Sequence, residues 1–236
     1  MPFVDPAALD LKALFSDKHM FVSRRSWSAT GFQVLDRADN GKIMVAAHPS
    51  APGLLFKKYC DDKSLKDQRA NYKRRVEGAD RLRSFVDKQF LRHVAVPRKQ
   101  LLELPRPFSR HAYILVVERL DLLNDEQTRA VYHDLDPDIL RELSVVLFHF
   151  RGMDSNAKNV PLIADGRVAF IDTEHWDRDN NKIYLHQLRA HLSIDRCELS
   201  KTIFDQLEKS RGILFKETAA VSKRFDGEDT SSVSSS

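Results

Sequence analysis

The most informative spacing in this chain lies in residues 151–176, RGMDSNAKNVPLIADGRVAFIDTEHW. Asp154 is followed five positions later by Asn159, and Asp172 comes thirteen positions after Asn159. Between them, residues 160–164 and 167–171 are typical of two short strands, and Asp165-Gly166 is a hairpin turn signal. A tight hairpin brings the residues before its first strand close to the residues after its second strand. The pattern therefore predicts that Asp154, Asn159 and Asp172 converge at one end of a hairpin.

Two carboxylates and one amide form a set of oxygen ligands. Such a set suits a hard cation such as Mg²⁺, which keeps several waters and completes its shell with phosphate oxygens. Each residue alone would be ordinary loop chemistry, because Asp and Asn favour turns. The joint spacing across a hairpin favours a site over three separate turns.

This stretch resembles the catalytic and metal-binding loops of the protein-kinase-like superfamily, which includes protein kinases and aminoglycoside-phosphotransferase-type small-molecule kinases. The resemblance implies that Asp154 accepts the proton of an attacking hydroxyl, and that Asn159 and Asp172 hold Mg²⁺ on the phosphates of ATP. It also implies an α+β, two-lobed fold, with an antiparallel N-lobe sheet plus one long helix and a reduced, mainly helical C-lobe.

The segment before this stretch matches the first half of such a fold. Hydrophobic alternation and turn signals predict strands over 32–35, 43–47 and 54–59, with turns at 39–41 and 49–53. A helical stripe predicts a long helix over 64–89. Further strands are predicted over 94–96, 101–104 and 113–117, the last of them buried on both faces.

The family holds the α- and β-phosphates with a lysine on its third strand. Here that strand carries Lys57 and Lys58, and alternation places them on opposite faces, so only one can face a nucleotide. We favour Lys57 because it continues the face of Leu55, and Lys58 remains the alternative.

Two further sets of contacts are implied by the resemblance. Glu77, on the long helix, would pair with the strand lysine, although an i,i+4 salt bridge with Lys73 or Arg81 would explain it equally simply. Backbone groups around Glu118 and Leu120, where the last strand of the sheet ends, would hydrogen-bond the adenine.

The chain departs from the protein-kinase pattern in three places. Residues 38–42 contain one glycine where protein kinases have a Gly-rich phosphate loop, which leaves open a catalytically inactive pseudokinase. Asp172-Thr173-Glu174 stands where they have Asp-Phe-Gly. Asn156 stands where protein kinases often have a lysine, which keeps a small-molecule acceptor open.

The C-terminal part is short. Asp136-Pro137 predicts a helix start, and helices are predicted over 183–192 and 196–210, which is too little chain for a full kinase C-lobe. We expect an N-terminal extension over 1–25, an N-lobe over 26–118, a reduced C-lobe with the catalytic loop over 119–225, and a disordered Ser-rich tail over 226–236. The size resembles very small bacterial kinase-like proteins, including secreted effector kinases.

Composition narrows the class of protein further. The 236 residues are 42% hydrophobic and 31% charged, and no apolar run is long enough to predict a membrane span. The N-terminus carries Asp5 and Asp10 and does not read as a Sec-type signal peptide. Cys60 and Cys197 are far apart, which favours a reducing compartment. We therefore expect a cytoplasmic protein, or one delivered to a host cytosol by a non-Sec route.

Positive charge is concentrated between residues 57 and 99, with fourteen Lys and Arg against six Asp and Glu. A solvated helix face is the simplest explanation, and phosphorylated ligands or an acidic partner are the functional ones. No nucleic-acid motif accompanies it, so nucleic acid is not an expected partner.

Together these features predict a phosphotransferase that uses ATP and Mg²⁺. The favoured acceptor is a protein Ser/Thr hydroxyl, which would belong to a host protein if the chain is secreted. A small-molecule kinase and a non-catalytic binding module stay open as alternatives.

Overall fold

In the computed structural model, the described residues are 9–15, 17, 19–35, 43–59, 68–104, 112–177 and 185–225. The strands within these ranges are β1 (Gln33–Val34), β2 (Ile43–Ala47), β3 (Leu54–Tyr59), β4 (Val94–Ala95), β5 (Lys99–Glu103), β6 (Tyr113–Glu118) and β7 (Val168–Ala169). The helices are α1 (Leu11–Leu14), α2 (Arg24–Ser28), α3 (Gln68–Lys88), α4 (Asp125–His133), α5 (Pro137–His149), α6 (Leu185–Arg189) and α7 (Ile194–Phe225).

An antiparallel sheet of five strands, in the order β1-β2-β3-β6-β5, organises the first half of the chain. β3 lies near its middle, and Lys57 is opposite Val45 of β2 and Leu115 of β6. The α+β class and the antiparallel sheet are confirmed, and both are consistent with a kinase-like N-lobe. The division into two lobes and the domain boundaries stay predictions. The turn at 39–41 lies outside the described residues.

One face of the sheet is covered by the N-terminal segment. Phe15, Met20, Phe21 and Trp27 are fully buried there. Their cluster includes Phe32 and Phe56, whose rings meet edge-on with centroids 5.5 Å apart. The N-terminal segment therefore contributes its apolar side chains to the core under the sheet. Residues 1–8 lie outside the described residues.

The opposite face of the sheet packs against α3. Tyr72 is fully buried in a cluster with Tyr59, Leu115 and Val117, and Val76 packs against it. The Tyr59 N–H donates to the Tyr72 hydroxyl at 2.9 Å. These contacts fix the face of α3 that lies toward β3.

The predicted hairpin is present, with shorter strands than expected. Ile163 N donates to Arg167 O at 2.9 Å, and Gly166 takes a φ of 90° in the turn, where a side chain would be strained. Leu162 bridges Val168, and only β7 continues as a strand. β7 pairs in parallel with β4 rather than extending the hairpin, so β4 does not belong to the five-stranded sheet. This pairing ties the hairpin to the segment that follows α3.

The helices after the sheet enclose a second hydrophobic core, separate from the cluster that contains Phe15 and Phe56. Asp136 caps α5 by accepting the N–H of Asp138 at 2.8 Å, with Pro137 at the start of the helix as expected. α4 was not predicted, and α7 runs further than the 196–210 expected. The shared core holds Tyr132, Leu140, Leu143, Val146, Leu147, Phe170, Leu188 and Phe204. No helix in the described part of the chain is long and apolar enough to cross a bilayer.

Candidate functional site

The loop after α5 is held in shape by hydrogen bonds around Asp154. Its Oδ1 accepts the N–H of Asn156 at 3.0 Å, and its Oδ2 accepts the side-chain amide of Asn159 at 2.9 Å. Asn156 in turn accepts the N–H of Lys158 at 3.0 Å. Asp154 and Asn159 are therefore neighbours with fixed orientations.

The hairpin brings Asp172 to the same place. Ile171 N donates to Asn159 O at 3.0 Å, directly before Asp172 in the chain. Asp154 and Asn159 are thus in contact, and Asp172 follows the residue whose backbone bonds to Asn159, at the open end of the hairpin. Their chemical roles stay predictions.

Lys57 and Lys58 leave β3 on opposite faces. Lys58 is fully buried on the N-terminal face, with Nζ 5.2 Å from the centroid of the Phe21 ring. Lys57 lies on the α3 face, where Arg75 and Asp172 are its charged neighbours. The geometry favours Lys57, of the two, as the lysine that faces the site.

Glu77 does not occupy the place that the kinase resemblance implies. Its carboxylate pairs with Lys73 at 3.6 Å, which is the i,i+4 salt bridge named above as the alternative. The side chain of Glu77 is 45% exposed and that of Lys73 is 69% exposed. The residue of α3 that reaches Asp172 is Arg75. Two positions along a helix correspond to a rotation of about 200°, so Arg75 and Glu77 cannot face the same site.

Arg75 belongs to this candidate site, and sequence reasoning missed it. Its Nη1 lies 3.4 Å from Asp172 Oδ1, and its Nη2 forms a close ion pair with Glu174. The side chain is only 10% exposed. The sequence marks Arg75 only as one of the many Lys and Arg residues between 57 and 99. Because many of these are exposed, the basic run does not single out Arg75.

Lys99 of β5 is a second buried cation that was missed. Its Nζ donates to Ile171 O at 3.0 Å and to Thr173 Oγ1 at 2.8 Å. Thr173 Oγ1 donates to Arg75 O at 2.7 Å. These bonds connect the sheet, the segment around Asp172, and α3.

The segment after Asp172 lies directly against α3 at Gly78. A Cβ on Gly78 would overlap Thr173 O and would lie 2.5 Å from Trp176 Cδ1. The Trp176 ring also stacks under the Arg81 guanidinium, 4.3 Å away. A single glycine inside a predicted helix is the available sequence signal for such close approach.

The charges in this cluster perturb one another's pKa values. Burial raises the pKa of Asp172, but the positive charges of Arg75, Lys99 and Lys57 outweigh it and hold the pKa below its ordinary value. Burial and the Arg75 charge, opposed by Asp172, lower the pKa of Lys57 to about 8. Burial, then Lys57, lowers the pKa of Lys99 well below its ordinary value. Asp172 is therefore ionised at neutral pH.

The two expected adenine contacts lie where β6 ends. Glu118 N donates to Arg98 O at 2.9 Å, and Leu120 O accepts the N–H of Leu122 at 3.1 Å. Within the described residues the N–H of Leu120 donates to no protein group. A cavity of about 650 Å³ adjoins this segment, lined by Pro52, Gly53, residues 118–121 and residues of the hairpin turn. Leu120 therefore offers a donor, whereas the Glu118 N–H is already used.

The donor set fits a divalent cation that also binds phosphate. The side-chain amide nitrogen of Asn159 donates to Asp154, which leaves the side-chain oxygen Oδ1 of Asn159 for a cation. Among the described residues no three His, Cys, Asp or Glu side chains form a cluster that could hold a metal alone. Mg²⁺ is commonly bound through one or two carboxylates plus substrate phosphates, so the residues fit Mg²⁺ as a partner of a bound nucleotide.

Comparisons with known proteins add little. No family model matches the chain, and no curated protein is similar to it. Among solved structures, the chain is similar to a MAP kinase of Leishmania major, LmaMPK10, at 11% identity and a TM-score of 0.34. The match covers 67% of this chain and 50% of that one, so the chain spans about half the length of that kinase.

Proposed function

We propose that this protein is a phosphotransferase that moves the γ-phosphoryl group of ATP to a hydroxyl. The observation that supports it most is the placement of Asp154, Asn159 and Asp172 at the same end of one hairpin, with Lys57 as a charged neighbour of Asp172 from the sheet. Two acidic residues, an amide and a facing lysine are the parts that phosphoryl transfer requires, because its catalysis is mainly positioning and charge stabilisation.

In this proposal Asp154 receives the proton of the acceptor hydroxyl. The hydroxyl oxygen forms the new bond to phosphorus while the bond to the ADP oxygen breaks. Both carboxylate oxygens of Asp154 already accept hydrogen bonds, from Asn156 N and from the Asn159 amide, so its orientation is set before substrate arrives. The ammonium of Lys57 attracts the phosphates.

Mg²⁺ would be held by Asn159 and Asp172 and would neutralise charge on the transferring phosphate. Leu120 would donate its N–H to the adenine. A protein hydroxyl is the first candidate acceptor. Asn156, which organises the loop by accepting Lys158 N–H, replaces the lysine that protein kinases often carry, so a small-molecule hydroxyl is the second.

Transfer of label from γ-labelled ATP tests the proposal. Wild type, Asp154→Ala and Asp172→Ala would be incubated with Mg²⁺, with the protein itself and a cell lysate as acceptors. Asp80→Ala is the matched control, because Asp80 is an exposed aspartate of α3 paired with Arg83. We expect labelled protein with wild type and Asp80→Ala, and loss of label in the other two variants. Equal labelling by all four proteins would refute the assigned site.

A non-catalytic nucleotide-binding module is the second candidate. It is favoured by Arg75, which pairs with Asp172 where protein kinases have a glutamate that pairs with the lysine. In that case the folded wild type would bind ATP without transferring phosphate or hydrolysing ATP. Metal-dependent ATP turnover without labelled protein would instead indicate a small-molecule acceptor.

A further inference from the structure

The two carboxylate oxygens of Asp172 have different surroundings. Oδ1 lies 3.4 Å from Arg75 Nη1 and accepts the N–H of Glu174 at 3.3 Å. Within the described residues, Oδ2 has no hydrogen-bond partner. A divalent cation can therefore bind Oδ2 while Arg75 stays on Oδ1.

Arg75 is fixed in place independently of Asp172. Its second guanidinium nitrogen pairs with Glu174, and its carbonyl accepts the Thr173 hydroxyl. The residue is 8% exposed, and its Nε has no hydrogen-bond partner in the described part of the chain. The guanidinium is therefore a permanent positive charge held beside Asp172.

Three basic side chains, Lys57, Arg75 and Lys99, surround the carboxylates of Asp172 and Glu174. A charge is costly to bury without a partner, and burial together with the charge of Lys57 lowers the pKa of Lys99 well below its ordinary value. The guanidinium of Arg75 keeps its charge throughout. A nucleotide phosphate that reaches this cluster would therefore meet a fixed positive charge at Arg75.

We infer that Arg75 takes the place of one divalent cation at this site. A nucleotide then binds appreciably without metal, and a single cation, held by Asp172 and Asn159, completes the site. The inference rests on the proposed function. It differs from the protein-kinase arrangement, in which the corresponding Asp and Asn hold two Mg²⁺ ions.

Calorimetric titration with ADP in EDTA provides the first test. Arg75→Met removes the charge, and Arg74→Met is the matched control because Arg74 is the next arginine of α3 and pairs with exposed Asp177. We expect Arg75→Met to bind metal-free ADP about ten- to a hundredfold more weakly, the size of one charge-assisted hydrogen bond. Arg74→Met should bind like wild type.

Glu174→Gln separates an electrostatic role of Arg75 from a structural one. Removing the negative charge frees the guanidinium for a phosphate, so we expect ADP to bind about threefold more tightly, or better, in EDTA. If the Arg75–Glu174 pair only held α3 in place, both variants would weaken binding. Circular dichroism spectra and melting temperatures establish that each variant is folded, and Arg75→Lys, which keeps the charge, should bind more tightly than Arg75→Met.

Counting bound Mn²⁺ by electron paramagnetic resonance in the presence of ADP completes the experiment. We expect one Mn²⁺ per wild-type chain. Two bound Mn²⁺, or metal-free ADP binding that is unchanged in folded Arg75→Met, would overturn the inference and leave the proposed function standing. If wild type binds ADP neither with nor without Mg²⁺, the proposed function itself fails.

Discussion

Replacing Gly78 with alanine should damage the contact between α3 and the segment that carries Asp172. The new Cβ would overlap Thr173 O, and it would also lie 2.5 Å from Trp176 Cδ1 and 3.1 Å from Thr173 Cβ. The backbone carbonyl cannot rotate away as the end of a flexible side chain could. Either α3 or residues 173–176 must therefore move.

Two effects of opposite sign decide the magnitude. In an ordinary helix interior, Gly→Ala raises the free energy of unfolding by about 1 kcal/mol. Adding a methyl group to a close-packed contact costs about 1–3 kcal/mol. Because the overlap here involves backbone, we expect the second effect to win, with a net destabilisation of up to about 2 kcal/mol.

Urea unfolding of wild type, Gly78→Ala and Gly53→Ala measures this difference. Gly53 is the matched control, because a Cβ there meets no atom within 4 Å and its φ is not in the left-handed region. Gly53→Ala should leave the midpoint unchanged or slightly higher, whereas Gly78→Ala should lower it. A Gly78→Ala variant as stable as wild type would refute the close packing of α3 against Thr173.

The charged residues of α3 and β3 allow three further predictions. Glu77→Gln should change the free energy of unfolding by no more than about 0.5 kcal/mol, because its ion pair with Lys73 is exposed. The variant should also bind ADP as tightly as wild type in a titration. A tenfold loss of ADP affinity would instead make Glu77 the partner of Lys57. Lys57→Met should weaken ADP binding about tenfold or more, whereas Lys58→Met, on the other face of β3, should not; the reverse result would exchange their roles. Because the pKa of Lys57 is lowered to about 8, pyrophosphate affinity measured by calorimetry should fall between about pH 7 and pH 9 as this charge is lost. The folded state binds fewer protons than the unfolded state in that range, so the free energy of unfolding rises with pH as the cost of the buried Lys57 charge is relieved. Unfolding would therefore not explain the loss of affinity, and a flat profile would contradict the assignment.

Much of the sheet could be predicted because its signals are local. β2 and β3 have the bounds that alternation and turn residues indicate, and the hairpin turn at Asp165-Gly166 is where the sequence places it. The position of Asp172 in the chain next to Ile171, which bonds to Asn159, follows from that turn alone. The prediction drawn from the spacing of Asp154, Asn159 and Asp172 therefore does not depend on how distant elements pack.

The parts that could not be predicted depend on contacts between distant segments. The parallel pairing of β4 with β7 joins segments that local patterns treat separately. Whether Arg75 or Glu77 faces the site depends on the rotation of α3, which is set by its packing at Gly78 and Tyr72. The sequence alone favours Glu77 over Arg75, because the resemblance to kinases implies a glutamate on this helix that pairs with the strand lysine.

The aromatic cluster beneath β2 and β3 determines where this chain can be cut. Phe15, Met20 and Phe21 are 0% exposed and belong to the same core as Phe56. A recombinant fragment that begins at residue 26, chosen to isolate the sheet and the site, would expose Phe56 and its apolar neighbours to water. Such a surface favours self-association. Expression trials should therefore keep the N-terminal segment, even though every proposed site residue lies after it.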